Sequence, residues 1–260
     1  SFGQAEIHQL DVAGVVDHDI GGFQVAMDHS ATVSIRHRLT DLLEDAEQLM
    51  RGLIKQWNET GQLMKRDQQA LEKRFAKARD AFHAHAAGLR ELAAREQLAL
   101  LREKASLCTE GERLLVHSDP AEVSSMLEDL DDRWSQTTSL SDAATEKSIQ
   151  QRYQKLRDAL LAGNGKRDQL LDELRANLEH RKELCLRMEI LCGAESPAEE
   201  QQARMEFQAN RLAEAIGHGV DDPVGSVTDL EREWYLSAGA LPSQEKDLQE
   251  RFEKARNTAG

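Results

Sequence analysis

The twelve residues LEKRFAKARDAF, from Leu71 to Phe82, return with few changes as LQERFEKARNTA, from Leu248 to Ala259. A chain that writes one helix twice is built from a repeated unit, and stacked repeats are the architecture to test first. The match extends outward from these stretches. Trp57 lies 18 residues before Phe75, and Trp234 lies 18 before Phe252. Between them RWSQTTSLSDAATEKSIQQRYQKLRDAL supplies a third copy, with Trp134, Ile149, Arg152, Tyr153, Lys155, Leu156 and Arg157. The shared pattern is a Trp, a short polar loop, then (L/I)-x-x-R-(F/Y)-x-K-(A/L)-R.

A second element precedes the later copies. SLCTEGERL around Cys108 and ILCGAESP around Cys192 each read as a helix that closes on Leu-Cys. A full unit is therefore expected to hold three helices: one ending in Leu-Cys, one carrying Trp, and one carrying R-(F/Y)-x-K. Copies two and three are complete on this reading, and copy one lacks its Leu-Cys helix. The predicted divisions are a leader at 1–34, a partial unit at 35–88 and full units at 89–165 and 166–260.

Periodicity supports helices throughout these units. Ile35, Leu39, Leu42, Ala46, Leu49, Leu53 and Trp57 recur at threes and fours, which makes one apolar stripe. Gly61 is a candidate C-terminal cap for that helix. Leu71, Phe75, Ala78 and Phe82 repeat the spacing, with Asp67 as the expected N-cap. No proline occurs between Asp67 and Glu110, so a single helix about 65 Å long is expected there. Ser118 or Asp119 caps the next helix, which Pro120 begins. Lys166 to Leu191 is predicted as one long helix. Ser196 and Pro197 start another, with Met205, Ala209, Leu212 and Ile216 facing inward. The fold class is all-α, an elongated tandem array of coiled-coil-like helices.

The Trp pattern, the Leu-Cys helix and the tandem copies resemble the bacterial family called domain of unknown function 349, over roughly residues 38–260. That resemblance implies a mostly helical tandem architecture and a bacterial origin. It implies no activity. Spectrin-like three-helix repeats are the other architecture considered. The unequal spacing of the tryptophans, 77 and then 100 residues, argues against their strict period.

Residues 1–35 hold no Lys or Arg, and their two Val-rich runs around Gly21-Gly22 read as a weak hairpin. Asp17, His18, Asp19, Asp28 and His29 suggest a metal site or, more simply, solvated loop residues.

The net charge of −14 disfavours nucleic acid on average, so binding there needs a local basic face. Copy one has such a face in Lys73, Lys77 and Arg79, and copy two repeats it in Arg152, Lys155 and Arg157. These six are the candidate nucleic-acid-binding residues; solvated charges paired with Glu are the alternative. Trp57, Trp134 and Trp234 read as core anchors rather than stacking platforms, because each continues an apolar stripe. Cys108 and Cys192 read as buried small hydrophobes. Three cysteines, with Cys185 and Cys192 about 10 Å apart along one helix, suggest reduced thiols in the cytoplasm. No nucleophile, zinc or phosphate-loop motif occurs. The expected function is a non-catalytic, cofactor-free cytoplasmic scaffold that binds a protein partner, away from membranes. An RNA- or ribosome-associated factor is the alternative.

Overall fold

The computed structural model describes residues 29–59, 65–162, 164–218 and 226–258. Nine α-helices and one short 3-10 helix make up the regular structure among the described residues, and the fold is all-α. Helix α1 spans His29–Glu59 and α2 spans Lys65–Leu114. They are followed by α3 (Pro120–Gln136), α4 (Ala143–Leu161), α5 (Asn164–Ala176) and α6 (Leu178–Cys192). A 3-10 turn at Ala198–Glu200 leads into α7 (Gln201–His218), and α8 (Val227–Leu236) and α9 (Pro242–Thr258) close the chain.

Local chemistry sets the helix starts. Asp119 accepts a hydrogen bond from the Ala121 amide at 2.9 Å, and Pro120 takes the first helical position, where its missing N–H costs nothing. Asp142 caps α4 through the Thr145 amide. Ser226 and Asp229 form a reciprocal capping box on α8. Gly193, at φ 69°, ends α6 in the left-handed region, where glycine carries no Cβ penalty.

Helix α2 is 50 residues long, about 75 Å at 1.5 Å per residue. It begins at Lys65, before the expected cap at Asp67, and it runs unbroken through position 88, the predicted unit boundary. Its two halves have different neighbours. The C-terminal half packs with α3 and α4 through Leu101, Ala105, Cys108, Leu130, Ile149 and Tyr153. Helices α6, α8 and α9 make a second three-helix set around Leu184, Cys185, Met188, Leu230, Trp234 and Phe252. The two sets share one apolar core. Helix α5 covers an adjoining cluster of Leu115, Leu156, Leu170 and Leu174.

The N-terminal half of α2 has a different setting: α1 pairs with it through stacked Trp57 and Phe75 rings. Leu42, Leu49 and Leu53 on α1 stay 52–70% exposed, and Leu89 and Leu92 on α2 are 40% and 57% exposed.

Four expectations are corrected. The segment 166–191 is two helices, not one. The chain bends at Asn177, whose amide Nδ2 donates to the Ala238 and Gly239 carbonyls and ties the bend to the loop before α9. His29–Ser34, placed with the leader, belong to α1. Met205 does not face inward but is 63% exposed, Ala209 is exposed as well, and Phe207 packs against the core instead. Ser196 and Pro197 open the 3-10 turn rather than α7 itself, and the Ser196 hydroxyl donates to Glu189. The hairpin reading, Asp17, His18, Asp19, Asp28 and Gly61 lie outside the described residues, as do the side chains of Leu212 and Ile216.

Candidate functional site

Three aromatic pairs share one geometry. Trp57 stacks on Phe75 with ring centroids 4.3 Å apart and planes 3° apart. Trp134 on Tyr153 gives 4.0 Å and 5°, and Trp234 on Phe252 gives 4.1 Å and 10°. In each pair the Trp ends one helix and its partner follows the motif arginine on the next. The tryptophans are anchors of helix pairs: Trp234 is buried, and Trp57 and Trp134 are half-buried.

Around the second and third stacks lie two polar cages with matching wiring. In the first, the buried Lys104 ammonium sits 2.6 Å from Glu146 and 5.2 Å from the centre of the Trp134 ring. The other Glu146 oxygen accepts from the Leu140 amide at 2.8 Å. In the second cage Arg181 takes the place of Lys104. It pairs with Glu245, lies 3.3 Å from the Trp234 ring centre and donates to the Trp234 carbonyl at 2.7 Å. Glu245 in turn accepts from the Ala240 amide at 2.7 Å. Each cation over an indole face thus also neutralises a buried carboxylate, so neither charge is left bare in an apolar setting.

A second ion pair repeats beside the first. Arg152 donates through Nε and Nη2 to Glu112, both at 3.0 Å, and through Nη1 to the Tyr235 carbonyl. Arg251 makes the same two-pronged contact with Glu189 and also pairs with Glu200 at 2.6 Å. A third pair recurs further along: Arg157 with Asp131 at 3.0 Å, and Arg256 with Glu231 at 3.2 Å. Burial works against the Arg152 charge, yet its acidic neighbours, Glu112 foremost, together outweigh it and hold the guanidinium above its ordinary pKa. For Arg181 burial wins over Glu245 and lowers it. The Arg181 Nε, flat against Trp234, has no acceptor.

This wiring revises the register between the later copies. The residue equivalent to Cys108 is Cys185, not Cys192: Lys104, Cys108 and Glu112 correspond to Arg181, Cys185 and Glu189. Both thiols are fully buried, and burial pushes each up to about 12. Cys192 is half-buried, and its thiol contacts Met188 Sδ at 3.5 Å. Neutral, enclosed thiols are poor nucleophiles. No group of three His, Cys, Asp or Glu side chains converges on a possible metal position among the described residues.

The six basic candidates differ in exposure and in pairing. Arg152 is inside the protein, held by Glu112, and no phosphate can reach it. Lys155 pairs with Glu173 across a groove of about 380 Å³ between α4 and α5, and Arg157 pairs with Asp131. On α2, Arg79 pairs with Asp80 at 2.9 Å, and Lys73 and Lys77 stand exposed beside it.

Sequence reasoning missed Lys104, Glu112, Glu146, Arg181, Glu189 and Glu245. A signal was present. Glu146 and Glu245 each stand three before the apolar residue of the motif, in EKSI and EKDL, and a cation-x₃-Cys-x₃-Glu spacing precedes both.

The described residues thus define an all-helical protein built on three-helix sets closed by buried ion pairs. Within it, residues 70–142 match the family model described as Domain of Unknown Function (DUF349). The match runs from the start of the Phe75 motif through the C-terminal half of α2 and α3 to the cap of α4. No curated protein and no solved structure matches the chain. No helix among the described residues is long and apolar enough to cross a membrane.

Proposed function

We propose that the chain is a non-catalytic helical-repeat module that binds another protein through the α1–α2 hairpin. One observation carries this reading. The buried carboxylates are taken up by structural ion pairs, while the hairpin leaves Leu42, Leu49, Leu53, Leu89 and Leu92 on its surface. A cluster of exposed leucines on paired helices is apolar area that a partner can remove from water, at about 25 cal/mol per Å². The test is retrieval of the tagged chain from its host after nuclease treatment. A protein is expected to stay with the unaltered chain and to be lost from Leu49→Asp/Leu53→Asp. Retention of RNA alone, abolished by nuclease, would overturn the reading.

RNA binding is the second reading, favoured by exposed Lys73 and Lys77 on the outer side of α2. A gel-shift titration with single-stranded RNA at two salt concentrations tests it. On that reading Lys73→Gln/Lys77→Gln/Arg79→Gln weakens binding for every RNA sequence and flattens the salt slope by about two to three units.

A further inference from the structure

The hairpin can be compared position by position with the two closed sets. Leu53 is 52% exposed, whereas its equivalents Leu130 and Leu230, also four before a Trp, are 2% and 0% exposed. Leu71 is 37% exposed against 0% for Ile149 and 7% for Leu248. Ala78 is exposed, and its equivalents Leu156 and Ala255 are each at 1%. Those equivalents are buried where a first helix, the C-terminal half of α2 or α6, closes its set. Among the described residues no helix takes that place around the hairpin, and the surface it would cover is exposed there.

The polar groups on this surface report what would fit. Arg74 is the equivalent of Arg152 and Arg251, each of which grips a glutamate of the first helix. Arg74 itself is exposed and pairs with no carboxylate among the described residues. Gln68 stands where the closed sets have Glu146 and Glu245, the residues that hold the first-helix cation. Its amide turns back onto Glu72 at 2.8 Å. The carboxylate-binding half of the wiring is therefore kept, and the cation-binding half is gone.

We propose that the α1–α2 hairpin is the acceptor for an amphipathic helix of another polypeptide, one with a carboxylate opposite Arg74 and an uncharged residue eight positions earlier, opposite Gln68. This rests on the protein-interaction reading and specifies its partner. A second copy of this chain is a poor donor. Its two first helices are locked in their own sets, and they carry Lys104 and Arg181 at the position that would face Gln68. A cation buried there would have no counter-charge.

The chain itself supplies the probe. Three labelled peptides are made from residues 98–114: the native sequence, Lys104→Gln, and Lys104→Gln/Glu112→Gln. Each is titrated against the whole chain by fluorescence anisotropy. The Lys104→Gln peptide is expected to bind at least about tenfold more tightly than either of the others, because only it meets Arg74 with a carboxylate and Gln68 without a charge. Arg74→Glu in the chain should abolish that preference, and Glu112→Arg in the Lys104→Gln peptide should restore binding to it. No binding up to millimolar peptide, or binding that Arg74→Glu leaves unchanged, overturns the proposal. So does a chain that sediments as a dimer dissociated by Leu49→Asp, which makes a second copy the occupant. Hydrogen-exchange protection of residues 49–57 and 71–78 in the isolated monomer also overturns it, because the chain's own remaining residues then cover the surface. If the in-cell partner is lost with Leu49→Asp/Leu53→Asp while the peptides fail, the interaction module stands and the helix chemistry falls.

Discussion

Glu245 is 4% exposed and holds three elements at once: Arg181 of α6, the Ala240 amide and the start of α9. Glu245→Ala removes the counter-charge and leaves Arg181 buried and unpaired, so it should cost about 3–5 kcal/mol in urea unfolding. Arg181→Met/Glu245→Gln should recover much of that loss. If the double variant is no better than the single one, the pair does more than neutralise itself. The buried thiols give a pH signature. Cys108 and Cys185 are pushed up to about 12 by burial, from an ordinary value of 9.0. Above pH 9 the unfolded chain releases these protons and the folded chain retains them. Stability is therefore full below about pH 9 and falls as pH rises toward 12, by about 1.4 kcal/mol per pH unit for each thiol. Cys108→Ala should be less stable at pH 8 and show a slope shallower by one thiol's share. An unchanged slope would mean that the Cys108 proton is not held by the fold.

Among the helices, α2 shows how one element serves two settings. Gly88 and Gly111 both lie inside it, but a Cβ at Gly88 meets nothing within 4 Å, while one at Gly111 comes 2.5 Å from Leu156 Cδ2. Gly88→Ala should stabilise by about 0.5–1 kcal/mol through helix propensity. Gly111→Ala gains the same propensity but overpacks Leu130 and Leu156, at a cost of about 1–3 kcal/mol, and should lower the melting temperature. A higher melting temperature for Gly111→Ala would show that the contact between α2 and α4 is looser than described. The helices themselves were legible because Leu, Phe and Ala recur at threes and fours, and because Pro120 marks a start; of the two caps offered, Ser118 and Asp119, the structure uses Asp119. The bend at Asn177 was not legible, because it depends on carbonyls of Ala238 and Gly239 some sixty residues later in the chain. The ion-paired cages were half legible. EKSI and EKDL sit in register and the cation-x₃-Cys-x₃-Glu spacing points to Cys185, but Leu-Cys also occurs at 191–192, at a helix end. The matching partners of Glu112 and Glu189, Arg152 and Arg251, fix the register. The burial of Arg152 was not legible for a related reason: an arginine's place on a helical wheel does not tell whether a third helix covers it.

For the whole chain, a helix about 75 Å long with a two-helix hairpin at one end predicts an extended particle. Small-angle scattering should give a radius of gyration well above the roughly 18 Å of a compact chain this long. A value near 18 Å would mean that the hairpin folds back onto the paired sets. The central claim is that the hairpin has the same aromatic stack as the closed sets but, among the described residues, no third helix over it. Native-state hydrogen exchange reads this directly, because a set without its covering helix opens at lower free energy. Amides near Leu53 and Phe75 should exchange at least about a hundredfold faster than those near Leu130, Tyr153, Leu230 and Phe252. They should slow when the Lys104→Gln peptide is added. Equal protection at all three stacks in the chain alone would contradict the account.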